Sequence, residues 1–384
     1  MLLEFGIKNF FSFKEGAKIS FRLPKNSPDS LSKGKDYSNL LGIKGKNASG
    51  KTNVLKAISF VCEFATDSFQ EKPEEKIFIE NFYNNSEDSE FFVEFRVDGT
   101  EFRYEIALDK IRVKREVLYR KVKRWSKVVE RVDNNFKTVN DDFKGLKHIN
   151  LRNNASFIST AHQYSLNDLE QFNSIYDFFN TIISNVSFFG LRQHNLSTES
   201  IEKISKHYHD NPKVLEFVKD IICRCDTGVS DIEIFERDDD GKKSYMPVFF
   251  HDIDDISEPL THFTESSGTK SLYMQLGQYA LVAQYGGILC FDEFDLNLHP
   301  HILPLLLDIF VNEEINVGNG QFLFSTHNNE ILDYLGRYRT VFVEKENNES
   351  FAYRLDDIPG DILRNDRPIL PVYQEGKIGG IPRL

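Results

Sequence analysis

The sequence predicts an α/β protein with an N-terminal antiparallel sheet and a helical insertion. Three observations carry this. A Gly-punctuated segment, Gly45 to Thr52, lies between a short apolar strand and an amphipathic helix. A second apolar strand, Gly286 to Phe291, ends in the acids Asp292 and Glu293. Between them come alternating runs joined by Asp98-Gly99, then helical periodicity over 165–225.

Residues 1–22 alternate as a strand pair, with Leu3, Phe5 and Ile7 on one arm and Ile19 and Phe21 on the other. Lys8-Asn9-Phe10-Phe11-Ser12-Phe13 joins them. Asn9, Phe11 and Ser12 read either as a wall beside a nucleotide base or as an aromatic strand end packed in the core. Residues 23–38 are rich in Pro, Ser, Lys and Asp and read as a loop.

Asn39 to Ile43 is a short buried strand entering Gly45-Lys46-Asn47-Ala48-Ser49-Gly50-Lys51-Thr52, which has the spacing G-x-x-x-x-G-K-[ST]. Glycines let successive backbone N–H groups of Asn47, Ala48, Ser49 and Gly50 turn inward on a polyphosphate. Lys51 reaches the β- and γ-phosphates, and the Thr52 hydroxyl is a Mg²⁺ ligand. The helix beginning near Gly50, with Asn53 in its first turn, adds its positive end. This pattern calls for a polyphosphate and Mg²⁺.

Residues 66–87 are polar and irregular in pattern. Asp98-Gly99 between alternating runs is a hairpin turn, and strands continue to about residue 132. The tail of this sheet is basic: nine Lys and Arg residues fall between Lys110 and Lys127, with Glu116 the one acid. In a chain of net charge −12 this is the candidate nucleic-acid surface, or else a solvated strand face. Trp125 reads as a base-stacking residue or a sheet-edge core residue. Ala155 to Ala161 reads as a buried strand, followed by His162-Gln163. The turn Asp238-Asp239-Asp240-Gly241 between two strands reads as exposed rather than metal-binding.

The last third supplies what a phosphate loop needs. Asp292 at its strand end is placed to hold Mg²⁺ opposite Thr52. Glu293 is placed to orient or deprotonate the attacking water. Ser266, Ser267, Gly268 and Thr269 open a helix and form a second anion site. Gln321 to Ser325 is a strand whose polar tip carries His327, a hydrogen-bonding sensor of a γ-phosphate.

No apolar run approaches the ~20 residues that span a bilayer. The start Met1-Leu2-Leu3-Glu4-Phe5 lacks a basic segment before an apolar stretch, so no signal peptide is expected. Cysteines at 62, 223, 225 and 290 suit a reducing compartment, and a cytoplasmic location is expected.

Assembled, these residues resemble the ABC-type ATPases of the SMC/RecF/OLD class, and more narrowly the prokaryotic AAA-labelled ATPases of abortive-infection and phage-defence loci. The ending Tyr373 to Gly380 and the segment Asp295 to Pro300 belong to the resemblance. It implies an ABC-type head, a P-loop NTPase fold, with its core in 1–65 and 226–384, an inserted sheet over 88–132 and a helical insertion over 165–225. It implies a head-to-tail homodimer, or a higher even oligomer, closed around ATP. The loop of one copy would meet Ser266 to Thr269 of the other, with Asp295 to His299 crossing the interface. It implies a glutamine coupling Mg²⁺ to the other lobe, Gln163 with Gln193 as the alternative. Glu265, Ser267 and Thr269 depart from the common Leu, Gly and Gln of the signature. The 57 residues after His327 are too few for a fused nuclease domain. A separate nuclease-like or toxin-like effector is therefore expected. The alternative is an ATP-gated DNA-binding protein of RecF type.

Overall fold

The computed structural model describes residues 1–164, 170–192, 197–225, 227–239, 241–254, 256–359, 362–363 and 367–380. The chain divides into two compact units. One comprises Met1–Leu191, Gly287–Phe294 and Gly320–Leu384, the other Arg192–Gly286 and Asp295–Asn319.

The first unit is built on two large sheets. Its central sheet has six strands in the order Glu349–Arg354, Thr340–Glu346, Leu40–Lys44, Gln321–Ser325, Ile288–Phe291 and Ile182–Ser184. All neighbours pair in parallel except the first two, which form an antiparallel hairpin. The three middle strands are buried along their length, as parallel strands covered on both faces must be. Their apolar runs, Leu-Leu-Gly-Ile, Ile-Leu-Cys-Phe and Gln-Phe-Leu-Phe, are what the sequence shows of this burial.

The second sheet is antiparallel, with seven strands. Its order is Ala17–Ser20, Leu2–Lys8, Ser89–Val97, Thr100–Leu108, Val113–Lys121, Trp125–Val132 and Asn135–Val139. Asp98 and Gly99, at φ 48° and 74°, form the predicted two-residue turn. The N-terminal strand pair is therefore part of the inserted sheet, through Leu2–Lys8 against Ser89–Val97.

Three expectations fail here. Residues 157–162 are a helix, Phe157–His162, not a strand. A short apolar run does not reveal its period, and capping decides the matter. Ser156 Oγ accepts from Ser159 N at 2.9 Å, and the Glu116 carboxylate accepts from Phe157 N at 3.0 and 3.1 Å. Glu116 also pairs with Arg131 at 3.1 Å, and both side chains are fully buried. Arg131 donates further to the carbonyls of Asp133, Arg152 and Ala155.

The stretch 165–225 is not one helical insertion. After the helix Glu170–Asn180 it gives Ile182–Ser184 to the edge of the central sheet. Residues 226–286 and 295–319 fall outside the first unit.

The second unit carries a three-stranded antiparallel sheet, Val229–Asp239, Lys242–Ile253 and Ile256–Thr261. Helices Thr198–Asp210, Pro212–Arg224, Ser267–Tyr285 and Leu303–Val311 accompany it. Tyr208 holds this unit's longest helix. Its hydroxyl donates to Tyr273 O at 2.6 Å and accepts from Gly277 N at 3.0 Å, and a Cβ on Gly277 would lie 2.7 Å from the Tyr208 ring.

Candidate functional site

The carboxyl ends of the central strands carry the site. The strand Leu40–Lys44 runs into Gly45 to Gly50, and the helix Lys51–Asp67 follows. A Cβ on Gly45 would lie 2.1 Å from Val343 O, so no larger residue fits there. Gly50, at φ 110°, sits against Ser12 Oγ and Ser350 Oγ. Lys51 is buried, and its Nζ donates to Gly45 O and Lys46 O, each at 3.0 Å. Ser49 Oγ is buried with no hydrogen-bond partner. A glycine-punctuated turn with an orphan buried hydroxyl and a lysine held by carbonyls fits a polyphosphate, whose oxygens can accept from both.

The loop is braced from behind. Ser350 Oγ donates to Ser49 O at 2.6 Å and lies 2.7 Å from Ser12 Oγ. Ser350 N donates to Ser12 O, and Asn53 Nδ2 to Ser12 Oγ. Ser12 and Asn53 thus act on the loop as supports. Ser350 was invisible to motif spacing, because it arrives through strand register.

Asn9 does not form a wall for a base. It is fully buried, with its amide donating to Asn85 Oδ1, Glu87 O and Asp88 O and accepting from Asn85 Nδ2 and Phe82 N. Phe11, at φ 48°, keeps a half-buried ring 4.2 Å from Lys56 Nζ and 5.6 Å from the Phe188 ring.

The two acids close the site. Thr52 Oγ1 donates to Asp292 Oδ2 at 2.7 Å. Ser325 Oγ donates to Asp292 Oδ1 and accepts from Glu293 N at 2.9 Å. Asn185, just past the edge strand, brackets the Asp292 backbone: its Oδ1 accepts from Asp292 N and its Nδ2 donates to Asp292 O. Glu293 adopts a left-handed backbone at φ 48°, a conformation that costs a non-glycine residue about 1–3 kcal/mol. Its carboxylate lies 3.7 Å from His327 Nε2, and both side chains are open to solvent at 40% and 45%. Lys44 Nζ ties the segment after His327 to the loop strand through Asn328 O and Asn329 Oδ1.

Thr52 and Asp292 present oxygen donors to one point, which suits Mg²⁺. Among the described residues no three His, Cys, Asp or Glu side chains form a metal cluster. A divalent ion here would complete its shell with phosphate and water. Gln163 is the C-cap of the helix Phe157–His162 and follows no strand, so the premise for its metal role falls. Gln193 lies outside the described residues.

In the second unit, Ser266 caps the helix Ser267–Tyr285 by accepting from Thr269 N at 3.0 Å. Ser266 and Ser267 are exposed, whereas Thr269 is buried, with its hydroxyl 2.8 Å from Ser266 Oγ. Glu265 is buried, accepting from Ser266 N and lying 2.6 Å from His251 Nε2. Ser267 therefore faces outward on a helix start braced from beneath, with Gly268 half-buried against Asn297 O.

Seven of the nine basic residues of the antiparallel sheet's segment are paired internally. Lys110 pairs with Glu80, Arg112 with Asp133, Lys114 with Asp109, and Arg115 with Glu105 and Glu130. Arg120 pairs with Asp142, Lys121 with Glu101 and Lys127 with Glu130. Burial works against the charge of Glu101, yet Lys121, Arg96 and Arg22 hold its pKa at about 2.

The family model described as "AAA domain, putative AbiEii toxin, Type IV TA system" matches residues 40–333. The chain belongs to this AAA domain family. The match spans the loop, both acids and His327. Among solved structures the AAA chain is similar to the SMC head domain from Thermotoga maritima, at 15% identity and TM-score 0.46, covering 92% of this chain and 98% of that one. It is also similar to the SmcHead bound to the C-winged helix domain of ScpA, at 14% identity and TM-score 0.49, covering 92% and 96%. No curated protein matches. No helix among the described residues is long and apolar enough to cross a membrane.

Proposed function

We propose that this AAA chain binds and hydrolyses ATP, closes head to tail with a second copy around the nucleotide, and so controls a separate nuclease-like or toxin-like effector in phage defence. The observation that carries the ATPase reading is the 2.7 Å contact of Thr52 with Asp292, with Glu293 and His327 beside it at the same sheet end. Lys51 exchanges its loop carbonyls for phosphate oxygens. Thr52 and Asp292 would hold Mg²⁺, which when bound would supply positive charge against the transferred phosphoryl group. Glu293 takes the proton of the attacking water, and His327, within reach of Glu293, orients it. Ser267 and Gly268 of the second copy offer hydroxyl and backbone N–H to the same nucleotide, which favours the closed pair. The defence role is supported by the toxin–antitoxin wording of the family description.

Glu293→Gln protein with ATP tests this. A stable dimer by light scattering, with hydrolysis slowed by on the order of a hundredfold or more, is expected. A monomer with unchanged turnover removes both the dimer and the role of Glu293. Pull-down with the same variant from its host is expected to bring a stoichiometric nuclease-like or toxin-like chain. Recovery of DNA and repair proteins alone would favour the DNA-binding alternative.

A further inference from the structure

The first unit holds a second cavity, of about 490 Å³, lined by Arg337, Arg339, Arg367, Tyr334, Tyr338 and Asp333 among others. It lies at the other end of the central strands from the phosphate loop. Arg339 directly precedes the strand Thr340–Glu346, and its carbonyl accepts from Gly42 N on the parallel loop strand. Both strands run away from Arg339 towards the loop.

The charge balance here is unlike that of the antiparallel sheet. Among the described residues, Arg337 donates only to the carbonyls of Leu363 and Asp356, and Arg339 only to Leu31 O at 3.5 Å. The Nε of each is buried with no hydrogen-bond partner. Among the described residues no carboxylate pairs with Arg337, Arg339 or Arg367. The acid in the wall, Asp333, is committed elsewhere: its Oδ1 accepts from Ile369 N and Leu370 N. Burial pushes the Arg339 guanidinium below its ordinary pKa, with Tyr334 pulling the other way. Buried donors left unpaired call for an acceptor, and planar guanidinium forks match phosphate oxygens two at a time. The volume falls in the range of small-molecule pockets, about 300–1,000 Å³.

We infer that this cavity binds a phosphate-bearing small molecule, held by Arg337, Arg339 and Arg367 between the Tyr334 and Tyr338 side chains, separately from the nucleotide at Lys51.

The test uses the full chain carrying Lys51→Ala, so that the phosphate loop is silent. Calorimetric titration with inorganic phosphate, ribose 5-phosphate and adenosine monophosphate is expected to show saturable one-site binding for at least one probe. Adding Arg367→Gln, on the exposed rim, or Arg339→Gln should weaken it about tenfold or more. Tighter binding of the monophosphate than of the other two would assign the tyrosines to a base. Equal binding of all three would assign recognition to the phosphate alone, and either result supports the site. Absence of saturable binding by all three probes, equal affinity in Arg367→Gln, or equal binding of citrate would overturn the inference.

Discussion

The two sheets of the first unit treat charge in opposite ways. At the carboxyl ends of the central sheet, Lys51 Nζ donates to two backbone carbonyls, Ser49 Oγ has no hydrogen-bond partner among the described residues, and Glu293 stands open beside His327. In the antiparallel sheet, seven of the nine basic residues between Lys110 and Lys127 hold carboxylates. A count of Lys and Arg along the chain singles out the second region, whereas the partners identify the first. Density of charge along the chain is therefore a poor guide to where a ligand is met.

Substitutions can break or sharpen this contrast. The largest effect is expected at Lys51: Lys51→Ala should weaken nucleotide binding on the order of a hundredfold while leaving the melting temperature of the free protein nearly unchanged. A large loss of stability would mean that Lys51 is a structural ion like those of the other sheet. The reverse pattern is expected at Glu116. Glu116→Gln strands a fully buried Arg131 and should cost about 3–5 kcal/mol of unfolding free energy, read by denaturant titration. Its turnover per folded molecule should stay at the starting level. The smallest effect is expected at Arg112 and Lys114, whose ion pairs are partly solvated. Replacing both by Gln should change stability by less than about 1 kcal/mol and leave the salt dependence of any DNA binding unaltered. A slope reduced by about one per residue would instead make the segment a phosphate contact.

Sequence spacing made the chemistry legible where a motif is local. Gly45 to Thr52, Asp292-Glu293, Ser266 to Thr269 and the strand ending before His327 are each short, and each lies on the element its pattern predicts. The supports were not legible. Asn185, Ser325 and Ser350 reach the site through strand register or a chain reversal, and register leaves no local signature. The same limit explains two of the misreadings. Phe157 to Ala161 is apolar and rich in β-formers, yet Ser156 and the distant Glu116 cap it as a helix. Asn9 sits in a segment suggestive of a ligand wall, yet a loop near residue 85 uses its amide completely. Gln163 followed from the first of these misreadings.

The Ser12–Ser350 bond spans 338 residues of sequence, and it backs the phosphate loop at Ser49 and Gly50. Contacts of such separation carry the highest loop-closure cost and form late. A chain still emerging from the ribosome therefore presents the Gly45-to-Thr52 motif long before it can hold that motif rigid. The loop gains its brace only once the Glu349–Arg354 strand has been made, and a chain truncated before that strand should carry the motif without its grip.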